Sequence, residues 1–183
     1  MEKGACRVGG MKTTIRLVRF NPVVGDVRGN GERVAEAARE AARDGVGVAV
    51  FPEMALSGYP TGDLVQRGAF MAAVDAELLR LKEELPPEVG VVLGTPLRVK
   101  EGRCNAVVVF EGGQMRVVDQ KESIAVGGIR IGFAESDAWG QGWAEGNGGW
   151  EEKGTEGGLA DVLLRLEARV YLRGHEGEGD SQN

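Results

Sequence analysis

Up to Lys121 the hydrophobic positions of the chain switch between a period of two and a period of about 3.6. Thr13-Thr14-Ile15-Arg16-Leu17-Val18-Arg19-Phe20 alternates as a strand does. After the turn signals Asn21-Pro22 and Gly25-Asp26, Asn30 is the expected cap of a helix running to about Arg43, with Val34, Ala37, Ala38 and Ala41 on one face. Asp44-Gly45 ends it. The next run, residues 45–51, is short, β-branched and free of charge, which predicts a buried strand. A second helix, about Ala69 to Glu84, carries Phe70, Val74, Leu78 and Leu81 at helical spacing and stops before Pro86-Pro87. Strands follow at 90–94 and 105–110, and Gly112-Gly113 turns the latter into a hairpin with 114–119. Strand-helix-strand-helix-strand followed by a hairpin predicts an α/β layered domain with a mixed sheet.

The pattern weakens after Lys121. Gly127-Gly128 reads as a turn and residues 129–133 as a strand, but 140–158 are Gly, Glu and Trp without a period and read as a loop. Residues 159–173 are expected to form a short amphipathic helix through Val162, Leu163, Leu166 and Val170, before a polar tail at 174–183. Residues 1–10 read as an extension, which leaves 11–139 as the principal domain.

Composition narrows the function. A hydrophobic share of 42% and a charged share of 27% are those of a globular chain, and a net charge of −6 argues against nucleic acid or an anionic membrane as partner. No apolar run reaches the roughly 18 residues of a membrane span, so a cytoplasmic location is expected. Cys6 and Cys104 give no disulfide framework, and the single histidine, His175, sits in the acidic tail, so no metal and no cofactor are expected.

One carboxylate stands out. In Phe51-Pro52-Glu53-Met54-Ala55-Leu56-Ser57-Gly58-Tyr59-Pro60, Glu53 falls at the end of an apolar strand and is followed by a stiff turn. Ligands of open α/β sheets gather at the carboxyl ends of strands, so Glu53 is either placed for acid-base chemistry or is a solvated strand terminus. Cys104 opens a strand, where a small buried hydrophobe is the ordinary role.

Three motifs carry a resemblance. Phe20-Asn21-Pro22-Val23-Val24-Gly25-Asp26 with Gly29-Asn30, Phe51-Pro52-Glu53 with Ser57-Gly58-Tyr59-Pro60 and Gly62-Asp63-Leu64, and Gly94-Thr95-Pro96 with Asn105-Ala106-Val107-Val108 and Asp119-Gln120-Lys121 together resemble the carbon-nitrogen hydrolase (nitrilase) superfamily. Within it they are most similar to the glutamine amidotransferase domains of glutamine-dependent NAD synthetases. The resemblance implies an α-β-β-α sandwich with mixed sheets, here incomplete, and a Glu-Lys-Cys catalytic set. Carried over by position, Glu53 is the general base, Lys121 the electrostatic partner of the oxyanion, and Tyr59 a residue lining the substrate pocket.

The resemblance implies a small-molecule amide such as glutamine as substrate. The chain also departs from the family pattern. The Leu-Pro-x-Tyr and Phe-Asp-Glu segments after the lysine are absent, and Ala134-Glu135-Ser136-Asp137-Ala138-Trp139 resembles the Cys-Glu-Asp-x-Trp elbow without its cysteine. Glu135 or Ser136 falls at the nucleophile position, and neither replaces a thiolate. Two readings follow: an amide hydrolase domain tied to ammonia supply for NAD synthesis with impaired catalysis, or a non-catalytic truncated relative serving as an interaction or assembly module. No Ser-Gly-Gly-x-Asp-Ser loop for ATP is present, so NAD synthesis calls for a separate synthetase partner, and the open sheet edges of a partial sandwich suit a homo-oligomer.

Overall fold

A computed structural model describes residues 5–8, 11–100, 102–118, 124–133 and 162–164. Its first sheet has six strands in sequential order: β1 (Ala5–Val8), β2 (Met11–Leu17), β3 (Val48–Val50), β4 (Gly90–Val99), β5 (Gly102–Glu111) and β6 (Gln114–Val118). β2, β3 and β4 run parallel, because each is joined to the next through a helix, α1 (Val27–Arg43) and α2 (Gly68–Glu84). β1 and the β4-β5-β6 meander pair antiparallel. A second sheet holds β7 (Ile124–Val126), β8 (Ile129–Phe133) and β9 (Val162–Leu164) in that order.

The central strands of the six-stranded sheet are covered on both faces. On one, Val91, Leu93, Ala106, Val108 and Phe110 pack against Val34, Ala38 and Ala41 of α1 and Val74, Leu78 and Leu81 of α2. On the other, Val48, Val50, Val92, Val107 and Val109 meet Val126, Ile129 and Ile131 of the second sheet. Successive strand residues point to opposite faces, which is why β4 and β5 read as unbroken apolar runs: both faces are buried. The described residues thus form helix, sheet and sheet layers of an α-β-β-α sandwich. The hairpin turn at Gly127 locks the two sheets together. Thr13 Oγ1 donates to the Gly127 carbonyl at 2.6 Å and the Gly127 amide donates to Glu111 Oε1 at 2.7 Å.

Several expectations change in detail. Asn30 is not the helix cap. Asp26 caps α1 by accepting from the Gly29 amide at 3.0 Å, so the helix starts a turn earlier and Asn30 falls on its buried face. Residues 5–8, expected to be part of an extension, add an antiparallel edge strand to β2. In the expected helix at 159–173, Val162–Leu164 is instead a strand paired in parallel with β8. Three successive apolar residues satisfy a buried strand as well as a helix face, and the pairing decides for the strand. The rest of that stretch, the loop at 140–158 and the tail at 174–183 lie outside the described residues.

Candidate active site

Glu53 stands just beyond β3, at the carboxyl end of the parallel strands. Pairing between β3 and β4 ends at Val50 and Val92, but β4 runs on, and its next residues hold the loop that carries Glu53. The Phe51 amide donates to the Val92 carbonyl at 2.8 Å, the Gly94 amide to the Pro52 carbonyl at 3.3 Å, and the Ala55 amide to the Gly94 carbonyl at 2.8 Å. Gly94 therefore clamps the backbone on both sides of Glu53. A Cβ at position 94 would lie 2.7 Å from Glu53 Cα, so only glycine allows this approach.

The loop then turns sharply. Met54 takes φ +56°, a left-handed conformation uncommon outside glycine, and the Gly58 amide closes the turn on the Met54 carbonyl at 2.8 Å. Non-glycine residues held in this region concentrate at functional sites. Gly58 has φ +75°, and a Cβ there would lie 2.6 Å from Val24 Cα, so the loop packs bare backbone against the β2–α1 connection.

Asn30 fastens that contact. Its side chain is fully buried, accepts from the Val23 amide at 2.8 Å, and donates to the carbonyls of Val23 at 2.8 Å and Leu56 at 2.9 Å. Arg33 donates to Asn30 Oδ1 at 2.6 Å and lies 4.9 Å over the Phe20 ring, which in turn packs edge-on against Phe51. The Gly25 amide donates to the Ser57 carbonyl at 2.9 Å. Two of the three sequence motifs are thus one structural unit whose product is a fixed Glu53 loop.

The third motif reaches the carboxylate itself. Asn105 Nδ2 donates to Glu53 Oε1. Asn105 opens the buried part of β5 opposite Pro96, on the same face as Val107 and Val109. Sequence reasoning places this residue in a motif and gives it no role; the available signal is an amide leading an otherwise apolar run. Its Oδ1 is buried without a hydrogen-bond partner among the described residues.

The other expected site residues fare differently. Lys121 lies outside the described residues, as do Glu135 and Ser136. β6 ends at Val118, opposite Val107 and heading along β5 toward Asn105, three residues before Lys121. Tyr59 is 48% exposed on the loop beyond Gly58. Cys104, expected to be buried, is exposed, because the outer end of the β4-β5 hairpin extends past the packed layers. One residue from Asn105 along β5, its side chain leaves the strand on the opposite face.

Among the described residues no group of three or more His, Cys, Asp or Glu side chains gathers as a metal site would require, and no helix is long and apolar enough to cross a membrane. A cavity of about 480 Å³ between β2 and α1, bounded by Leu17, Phe20, Arg33 and Glu40, is separate from Glu53 and Asn105.

The family model for carbon-nitrogen hydrolases matches residues 14–161. The chain belongs to that family. Among its relatives, the glutamine-dependent NAD(+) synthetase of Synechocystis sp. is 33% identical over 110 residues, covering 56% of this chain and 20% of the relative. That of Mycobacterium bovis is 38% identical over 97 residues, covering 52% and 14%. The chain therefore spans about a fifth or less of the length of these synthetases. The glutamine-dependent NAD+ synthetase of Acinetobacter baumannii superposes with a TM-score of 0.59 at 21% identity, over 65% of this chain and 26% of that one. An amidase from Nesterenkonia sp. superposes with a TM-score of 0.57 at 18% identity, over 69% of this chain and 56% of that one. The fold is that of the nitrilase superfamily, with part of the sandwich represented, and the chain carries a carbon-nitrogen hydrolase family domain related to glutamine-dependent NAD synthetases.

Proposed function

We propose that this chain is a glutaminase-type amidotransferase domain tied to ammonia supply for NAD biosynthesis, in which the general base is in place and catalysis is impaired for want of a nucleophilic cysteine. The observation that carries the reading is Glu53, clamped by Gly94 and bonded by Asn105, in a chain whose cysteines are at 6 and 104. Cys6 pairs with Thr13 near the start of β2, at the end of the sheet away from Glu53. Cys104 leaves β5 on the face opposite Asn105.

In the full reaction the glutamate takes the thiol proton, the thiolate attacks the amide carbon, and the proton departs with ammonia. Water then cleaves the thioester. Glu53 is the base in this scheme, Lys121 the cation at the oxyanion, and Tyr59 a wall of the glutamine pocket. Without a thiol, a lone carboxylate is too weak a base to ionise the Ser136 hydroxyl, and Glu135 offers only a poor carboxylate nucleophile. The ammonia would serve a synthetase partner, in the cytoplasm.

The test is ammonia release from glutamine by the purified chain and by Glu53→Gln. Release no faster than in the variant is expected; rapid release lost in the variant would contradict impairment. A second reading, a non-catalytic assembly module, draws support from β6, the last strand in the order of the six-stranded sheet among the described residues, on which Val117 is 57% exposed. It predicts a homo-oligomer or a stable complex with a synthetase, and a monomer on size-exclusion chromatography that binds no synthetase would argue against it.

A further inference from the structure

We propose that Asn105 is the positioning residue of Glu53, fixing the rotation of its carboxylate so that one oxygen is held and the group presents a single orientation to the reacting centre. The inference rests on Glu53 being the base. A carboxylate turns about its last bond with little preference, because that torsion joins sp3 and sp2 atoms and is broad. Clamping the Glu53 backbone through Gly94 therefore does not by itself set the rotation of the carboxylate, which is left to its side-chain contacts. Nδ2 of Asn105 supplies such a contact by donating to Oε1. Misplacement of about 1 Å at a reacting group costs on the order of 100-fold in rate, so such a constraint matters to a base.

The constraint is rigid because donor and acceptor belong to one hydrogen-bonded unit. Gly94 holds Pro52 and Ala55 through its amide and carbonyl, and pairs with Val107, two residues along β5 from Asn105. Backbone and side chain of Glu53 are thus referred to the same pair of strands. The residues that follow Asn105 on β5, Ala106, Val107 and Val108, have no side-chain donor to offer in its place. The amide orientation follows from the contact, since a carboxylate accepts and only the nitrogen donates.

The experiment compares the full chain with Glu53→Gln and Asn105→Ala by NMR, with ammonia release measured on the same samples. The Asn105 side-chain amide signals are expected to move by more than about 0.5 ppm in Glu53→Gln, where a charge-assisted bond becomes a neutral one. The Asn30 amide signals, bonded to backbone carbonyls, should stay in place and serve as the internal control. In Asn105→Ala the Glu53 side-chain carboxyl carbon is expected to broaden or split, with the fold retained. Asn105 signals indifferent to Glu53→Gln, or an unchanged Glu53 carboxyl signal in Asn105→Ala, would overturn the proposal. Neither readout depends on turnover. Rapid Glu53-dependent ammonia release would contradict the impaired-enzyme reading, while the role of Asn105 would still stand or fall on the spectra.

Discussion

Gly94 lies with its bare α-carbon against Glu53: a Cβ there would approach Glu53 Cα to 2.7 Å and the Met54 nitrogen to 3.3 Å. Both neighbours are backbone, which cannot rotate away. Gly94→Ala is therefore expected to destabilise the chain by about 1–3 kcal/mol, the usual range for overpacking, and to displace the Glu53 loop. Gly68→Ala is the control. Position 68 has open space around it at the start of α2, so the substitution should be neutral or slightly stabilising. Urea unfolding of the two variants checks the contrast.

Asn30 joins α1, the connection before it and the Glu53 loop through one buried amide. Asn30→Ala leaves the Val23 amide and the Leu56 carbonyl without that partner, which is expected to cost about 2 kcal/mol or more. Hydrogen exchange at the Val23 amide should accelerate more than at the centre of β4. Equal acceleration everywhere would mean that the residue stabilises the fold generally and has no particular hold on the loop.

The two helices meet at a carboxylate. Glu77, buried on α2, places Oε1 where a side chain on Gly31 of α1 would begin, and is bonded by Arg80. The hydrogen bond to Glu77, aided by Glu84, raises the Arg80 guanidinium above its already high ordinary pKa, so the cation persists at any working pH. Arg80→Met leaves Glu77 with the more distant Arg28 at 3.5 Å. A loss of about 3 kcal/mol is expected in urea unfolding, from stranding a buried charge.

Acid should reveal the outer half of the same cluster. The Glu84 carboxyl is held below its usual 4.5, first by its hydrogen bond from Arg80 and also by the charges of Arg80, Arg28 and Arg39. A depressed folded-state pKa means that the contribution is fully present above the unfolded value and is lost as the pH falls through the folded one. Stability should therefore decline below about pH 4.5, and less steeply in Glu84→Gln, as thermal melts across roughly pH 3–6 would show.

The strand and helix pattern is legible in the sequence because burial on two faces leaves apolar runs in β3, β4 and β5, and a one-sided stripe in α1 and α2. The Glu53 motif is legible because a carboxylate interrupts such a run. Asn30 reads as a cap since its type suits a helix start. Nothing local says that Asp26, a turn earlier, takes that role while Asn30 turns inward to bond a loop 26 residues away. The hold of Asn105 on Glu53 is invisible for the same reason, being set by the register of β4 against β5 across 52 positions. Cys104 reads as a buried residue because strand propensity does not reveal how far a hairpin extends beyond the layers that cover it. The strand at Val162–Leu164 exists by pairing with β8, a partner that local periodicity does not name.

Whether this site turns over at all is decided by ammonia release from glutamine, measured for the purified, folded chain beside its Glu53→Gln variant. The two are expected to be indistinguishable, because a base without a thiol to activate completes no turnover. Release by the parent chain that disappears in the variant would contradict catalytic impairment and would show that another group on this scaffold acts as the nucleophile.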